Sequence, residues 1–194
     1  MNKRFFWVGT TILLVAVLSV AAVLVYQNTN QNFNGSVIDP PAPASDFTLT
    51  DQSGKKVSLS DYRGEYVYLF FGFSHCLQEC PATMAVLAKA RSLMGSKGAD
   101  MQVLMVSTDP ANDTRQSMQD FLGRFDPTFI GGLGTADQLK SVWDAYGVAV
   151  EDGGETHSSY TYLIDPNGDL RMTYPYGVTP EDLVSDLKIL MRKN

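Results

Sequence analysis

The chain has 194 residues, 44% hydrophobic and 19% charged, which suits one globular domain with an appendage. Its formal net charge is −6. An acidic chain with no basic stripe cannot track a phosphate backbone, so no nucleic-acid partner is expected.

Lys3 and Arg4 fall within a short N-terminus, 1–4, and an uncharged run from Phe5 to Tyr26 follows. About 22 residues make roughly 33 Å of helix, enough to cross a bilayer core. The positive charges precede the run, so residues 1–4 are expected in the cytoplasm and the rest of the chain outside it. That is a single-pass protein of a bacterial inner membrane, with its C-terminal domain in the periplasm or otherwise outside the cytoplasm. Ser19-Val20-Ala21 loosely fits a signal-peptide cleavage site. The apolar run continues past it to Val25 and is longer than a usual signal-peptide core, which favours an uncleaved transmembrane helix over 5–26. Residues 27–45 are rich in Asn, Gln, Pro and Ala and are expected to be a flexible linker. The folded domain is then expected over 46–194.

Within that domain, Phe47–Thr50 and Val57–Leu59 flank Asp51-Gln52-Ser53-Gly54 and predict a hairpin. Tyr66–Phe71 is a continuous apolar run, the pattern of a buried central strand. The cysteines Cys76 and Cys80 follow at once. Pro81 then opens a helix over 82–93, ended by Gly95. Met101–Val106 predicts a second buried strand, and Asp113 or Thr114 caps a helix to about Arg124. Phe129-Ile130 is a short strand, and 136–146 a helix stopped by Gly147. Tyr160–Ile164 and Leu170–Thr173 are strands joined by the turn Asp165-Pro166-Asn167-Gly168. Thr179-Pro180-Glu181-Asp182 starts a last helix, running to about Met191. Alternating strands and helices predict an α/β domain with a central mixed sheet flanked by helices. A thiol pair between a first central strand and its helix is the thioredoxin-like layout. It puts the site at the carboxyl ends of the strands.

Cys76 and Cys80 are the only cysteines in the chain. A spacing of four can place both sulfurs on one face of a first helical turn, where they close a disulfide or chelate a soft metal. The helix start supplies free N–H groups and a positive dipole end, which favour thiolate. Outside the cytoplasm such a pair oxidises unless a reductant or a metal holds it. As a structural staple the pair is weak, because its closed loop is tiny.

His157 lies before a predicted strand, after Glu151-Asp152-Gly153-Gly154, and no proline stands between Glu151 and Ser159. A loop facing the first helix would bring its imidazole to the thiols. Two thiolates and an imidazole suit copper, as Cu(I) or Cu(II), and zinc accepts the same atoms with a fourth ligand. The plainer role for His157 is a backbone hydrogen bond in its loop. His75, next to Cys76, is expected to point away. Asp109, at the end of the second central strand, is placed to orient His157 or to affect thiol exchange; turn formation and helix capping are the expectation for Asp113.

Phe-Gly-Phe-Ser-His-Cys-x-x-x-Cys-Pro, Ser-Thr-Asp-Pro-Ala-Asn-Asp-Thr and His-Ser-Ser-Tyr-Thr-Tyr-Leu-Ile-Asp-Pro-Asn-Gly, in this order, resemble the Sco/SenC family of copper-binding cytochrome c oxidase assembly proteins. The resemblance covers nearly the whole exported domain. It implies a thioredoxin-like fold and one copper bound through Cys76, Cys80 and His157. It also implies a copper metallochaperone that assists maturation of the oxidase's binuclear copper centre. The partners implied are the oxidase subunit that carries that centre, or another exported cysteine protein, and a copper donor chaperone. The chain departs from the family between its cysteines, where Leu77 and Gln78 stand in place of the common Pro and Asp. The alternative is a thiol-disulfide oxidoreductase with Cys76 and Cys80 as its redox pair. A peroxiredoxin-like peroxidase is disfavoured, because Phe73 and Ser74 do not supply the threonine-rich segment it would want.

Overall fold

The computed structural model describes residues 13, 15–19, 33–151 and 156–193. The chain divides into two units, Met1–Phe33 and Asn34–Asn194. In the first, residues 13 and 15–19 are helical, and the rest of the anchor expected over 5–26 lies outside the described residues. Among the described residues no helix is long and apolar enough to cross a membrane.

In the second unit the chain runs β1 (Ser36–Pro43), β2 (Thr48–Thr50), β3 (Lys56–Ser58), β4 (Tyr66–Gly72), α1 (Glu79–Leu93), β5 (Met101–Ser107), α2 (Arg115–Leu122), β6 (Ile130–Gly132), α3 (Ala136–Ala145), β7 (Val150–Glu151), β8 (Thr156–His157), β9 (Thr161–Ile164), β10 (Asp169–Tyr174) and α4 (Pro180–Lys193). Six strands form one mixed sheet in the order β1-β10-β9-β4-β5-β6. The β4–β5 and β5–β6 pairs are parallel, while β9, β10 and β1 add antiparallel.

Every residue of β4 is buried, because helices cover both faces of the sheet. Its side chains alternate between them. Val67, Leu69 and Phe71 join a core with Leu139, Val142 and Tyr146 around α3. On the other face the Tyr68 hydroxyl donates to the Leu183 carbonyl of α4 (3.3 Å), and α4 packs on α1. The hairpin β2–β3 is tied to the far edge of the sheet, where Thr50 and Leu133 exchange two backbone bonds of 2.8 Å.

The linker expected over 27–45 is corrected from Ser36 onward. Ser36–Pro43 pair antiparallel with β10, with Ser36 opposite Thr173 and Pro43 opposite Asp169. Prolines lack the N–H that a central strand must donate, so they are confined to sheet edges and bulges. Strand β1 is an edge strand, and its register shifts between Val37 and Ala42. A proline-rich edge strand and a linker therefore look alike in composition.

Candidate functional site

Strand β4 ends at Gly72, and residues 73–78 cross to the start of α1 at the carboxyl end of the sheet. The helix begins at Glu79, earlier than the start after Pro81 that the sequence suggests, so Cys80 lies in its first turn and Cys76 does not. Cys76 precedes the helix, and its sulfur accepts the Cys80 N–H at 3.4 Å. The first N–H groups of a helix have no partner within it. Here Cys76 Sγ takes one of them, Pro81 has none to satisfy, and the Ala82 N–H returns to the Gln78 carbonyl (3.3 Å). This helix start uses the Cys76 sulfur as an acceptor and tolerates a proline at 81.

Both cysteines are unbridged; Cys76 is half-buried and Cys80 fully buried. Burial, reinforced by the hydrogen bond with Cys76, pushes the Cys80 thiol well above its ordinary range. The expected lowering by the helix start is thus overturned at Cys80, where desolvation of the charged form outweighs the dipole. Gly72 is what lets Cys80 sit there. A Cβ on Gly72 would lie 2.9 Å from Cys80 Sγ and 2.7 Å from the Phe70 ring.

A buried carboxylate holds the loop from below. Asp113 Oδ1 accepts the Ser74 N–H (2.9 Å) and the Ser74 hydroxyl (2.6 Å), while Oδ2 accepts the Ser107 hydroxyl (2.5 Å). Its side chain is 0% exposed, with the half-exposed His75 ring 3.7 Å away. The capping expected of Asp113 belongs to Thr114, whose hydroxyl accepts the Ser117 N–H (3.0 Å). Asp109 is buried, and its carboxylate accepts from the Asn112 backbone (3.1 Å) and side chain (2.9 Å). It thereby closes the turn that follows β5.

The backbone of His157 lies in β8, opposite Val150 of β7. Its side chain, the expected third ligand, lies outside the described part of the structure. Among the described residues no three His, Cys, Asp or Glu side chains cluster to hold a metal. The hairpin is closed at its base, where Ser158 N–H donates to the Ala149 carbonyl (3.1 Å) and Ala149 N–H to the Ser158 hydroxyl (3.2 Å). Just beyond, the Ser159 hydroxyl donates to a Glu79 carboxylate oxygen. The segment following His157 is thereby joined to the first residue of the cysteine helix. Sequence reasoning misses Gly72, Glu79 and Ser159, because contacts between distant segments leave no local pattern. For Asp113, the signal is its place just before a capping threonine, which frees it from the capping role.

A family model described as SCO1/SenC matches residues 37–192. The mitochondrial protein SCO2 of Saccharomyces cerevisiae is 38% identical over 132 residues, 63% of this chain and 44% of that protein. An SCO2-like protein of Rickettsia felis is 30% identical over 152 residues, 74% of each chain. The chain thus spans less than half the length of the yeast relative and about three quarters of the rickettsial one. Among solved structures, Arabidopsis thaliana ScoI with copper bound aligns with a TM-score of 0.71 at 28% identity, covering 79% of this chain and 100% of that one. Bradyrhizobium japonicum ScoI with copper bound gives 0.69 at 30% identity, covering 76% and 98%. The thioredoxin domain of a Bacteroides vulgatus thiol-disulfide oxidoreductase gives 0.60 at 23% identity, covering 77% and 95%, a likeness of fold. The domain has the thioredoxin-like α/β fold expected from the element order.

Proposed function

The chain belongs to the SCO1/SenC family, and from that premise we propose that it is a membrane-anchored copper metallochaperone. Copper is held by Cys76, Cys80 and His157. The donor set fits: two sulfurs and an imidazole satisfy Cu(I) and still hold Cu(II). The observation that carries this reading is the pairing of Cys76 Sγ with the Cys80 amide at the start of α1, which keeps both unbridged thiols at one point of the sheet edge. Copper-bound ScoI proteins of Arabidopsis and Bradyrhizobium, similar to this chain over most of its length, support it. The client is the copper-bearing subunit of cytochrome c oxidase, and a second exported chaperone supplies the metal. The domain stands outside the cytoplasm of a bacterial cell, held to the inner membrane by 5–26. Asp109, at the same sheet edge, orients the His157 imidazole.

The unequal burial of the cysteines favours a second reading, thiol-disulfide exchange. Half-buried Cys76 attacks one sulfur of a substrate disulfide and releases the other as thiolate. Cys80 then gives up its proton and attacks Cys76 Sγ, which leaves a Cys76–Cys80 disulfide and a reduced substrate.

Copper retention separates the two. The full-length chain in detergent, reduced, loaded anaerobically with Cu(I) and desalted, is expected to keep a single copper. His157→Ala is expected to lose it or hold it about tenfold or more weakly, together with the sulfur-to-Cu(II) charge-transfer band. Retention indifferent to His157 would move the function to disulfide exchange.

A further inference from the structure

The three residues between the cysteines are placed unequally. Leu77 and Gln78 are exposed, Leu77 to 91%, whereas Glu79 is half-buried. An acid in the first turn of a helix is favoured by the positive end of the helix dipole and ordinarily points to water or caps its own helix. The N-cap of α1, Gln78, makes no side-chain cap bond. Glu79 reaches across instead and accepts the hydroxyl of Ser159, 80 positions away. Ser159 lies two residues after His157.

The hairpin that carries His157 is short. Strands β7 and β8 have two residues each, and the described base bonds between Ala149 and Ser158 close it on itself. A lone two-stranded ribbon is marginally stable in water and does not fix its own position against the rest of a domain. Val150 anchors the β7 side of the hairpin on the core, and the Glu79–Ser159 bond supplies a fixed point on the β8 side, from the residue adjacent to Cys80. We propose that Glu79 is a positioning residue, which through Ser159 holds the His157 hairpin in place against Cys76 and Cys80. The proposal rests on the three-ligand reading above. It also explains what the loop between the cysteines contributes, since its third residue, Glu79, is the one that crosses to the histidine segment. The bond preorganises the donor set, so its loss weakens metal binding without removing a ligand.

The test uses the full-length chain in detergent as wild type, Glu79→Ala, Ser159→Ala, the double variant, Glu79→Gln and His157→Ala. Amide hydrogen exchange over 156–161 is read on reduced, metal-free protein. Cu(I) affinity is read by competition with a chromophoric chelator. Each alanine variant is expected to speed exchange in the hairpin and to weaken copper about tenfold. The double variant is expected to be no worse than either single one, because both remove the same bond. Glu79→Gln is expected to restore both readouts, since its amide oxygen accepts the same hydroxyl. Unchanged hairpin exchange in the alanine variants, additive losses in the double variant, or a glutamine variant no better than alanine would overturn the proposal. Ser159→Ala removes a single oxygen and decides the matter if Glu79→Ala fails to fold. If His157→Ala binds copper like wild type, the three-ligand reading fails, while the exchange of metal-free protein still decides the role of Glu79.

Discussion

At the scale of single residues, the cysteine loop depends on a carboxylate that touches neither thiol in the described contacts. The Asp113 side chain is fully buried and accepts three hydrogen bonds, two of them from Ser74, two residues before Cys76. The Ser74 and Ser117 hydroxyl oxygens lie 2.9 Å apart, a contact that ties the same point to α2. Replacing Asp113 with alanine leaves the Ser74 N–H and the Ser107 hydroxyl proton without their acceptor, and an unsatisfied buried donor costs about 1–3 kcal/mol. Asp113→Ala is expected to lose about that much unfolding free energy in urea. Cys76, released with its loop, is expected to react faster with a disulfide reagent. Asp113→Asn is expected to be milder, because its oxygen still accepts from Ser74 and the Ser107 hydroxyl can turn to accept from the new amide. Unchanged stability and thiol reactivity in Asp113→Ala would show that the loop holds itself. Thr114 explains why this role is hidden in the sequence: either 113 or 114 could cap α2, and the hydroxyl at 114 does so.

At the scale of elements, a second buried carboxylate does for β1 what Asp113 does for the loop. Asp186 of α4 is 0% exposed and accepts the Asn34 N–H (3.0 Å), the Asn34 side-chain amide (3.0 Å) and the Gly35 N–H (2.9 Å). Gly35 is needed where it stands, because a Cβ there would lie 2.4 Å from the Tyr174 ring. Burial first, and then the neighbouring Tyr68 hydroxyl and the Asp186 carboxylate, hold the Tyr174 hydroxyl well above its ordinary range, so it stays neutral beneath the clamp. Asp186 thus fixes the point at which the chain enters β1, and β1 closes the sheet on that side. Asp186→Ala leaves two backbone N–H groups without their acceptor, and a loss of about 1–3 kcal/mol is expected. Hydrogen exchange is expected to quicken in the β1–β10 ladder and to remain slow in β4 and β5, which are buried at the centre of the sheet. A uniform rise across the sheet would contradict a local clamp.

At the scale of the whole molecule, what is legible in the sequence is what leaves a local pattern. Strand β4 can be read because covering both faces of a strand demands an unbroken apolar run. The β9–β10 turn can be read because Asp165 Oδ1 accepts the Asn167 N–H (2.9 Å) and Gly168 takes a positive φ of 83°. Cys76, Cys80 and His157 stand out as chemistry within motifs, although nothing in their spacing fixes how the segments meet. Glu79 and Ser159, or Asp186 and Asn34, cannot be paired from sequence, since a hydrogen bond between distant segments has no period. Strand β1 is misread for a different reason, its prolines serving a sheet edge as well as a linker. The misreading places the start of the domain at Asp46, whereas the second unit begins at Asn34. A chain begun at Asp46 lacks β1, exposes the β10 edge and leaves buried Asp186 without the amides that satisfy it. Stranding a buried acceptor and a strand edge is expected to cost about 3 kcal/mol, or roughly 6–12 °C in Tm for a domain of this size. A chain begun at Asn34 retains all of these bonds. Side-by-side thermal unfolding of the two is expected to show the longer one more stable and less prone to aggregate through its free edge. Equal Tm values would mean that β1 contributes nothing to the fold, and the linker would then extend to residue 45 after all.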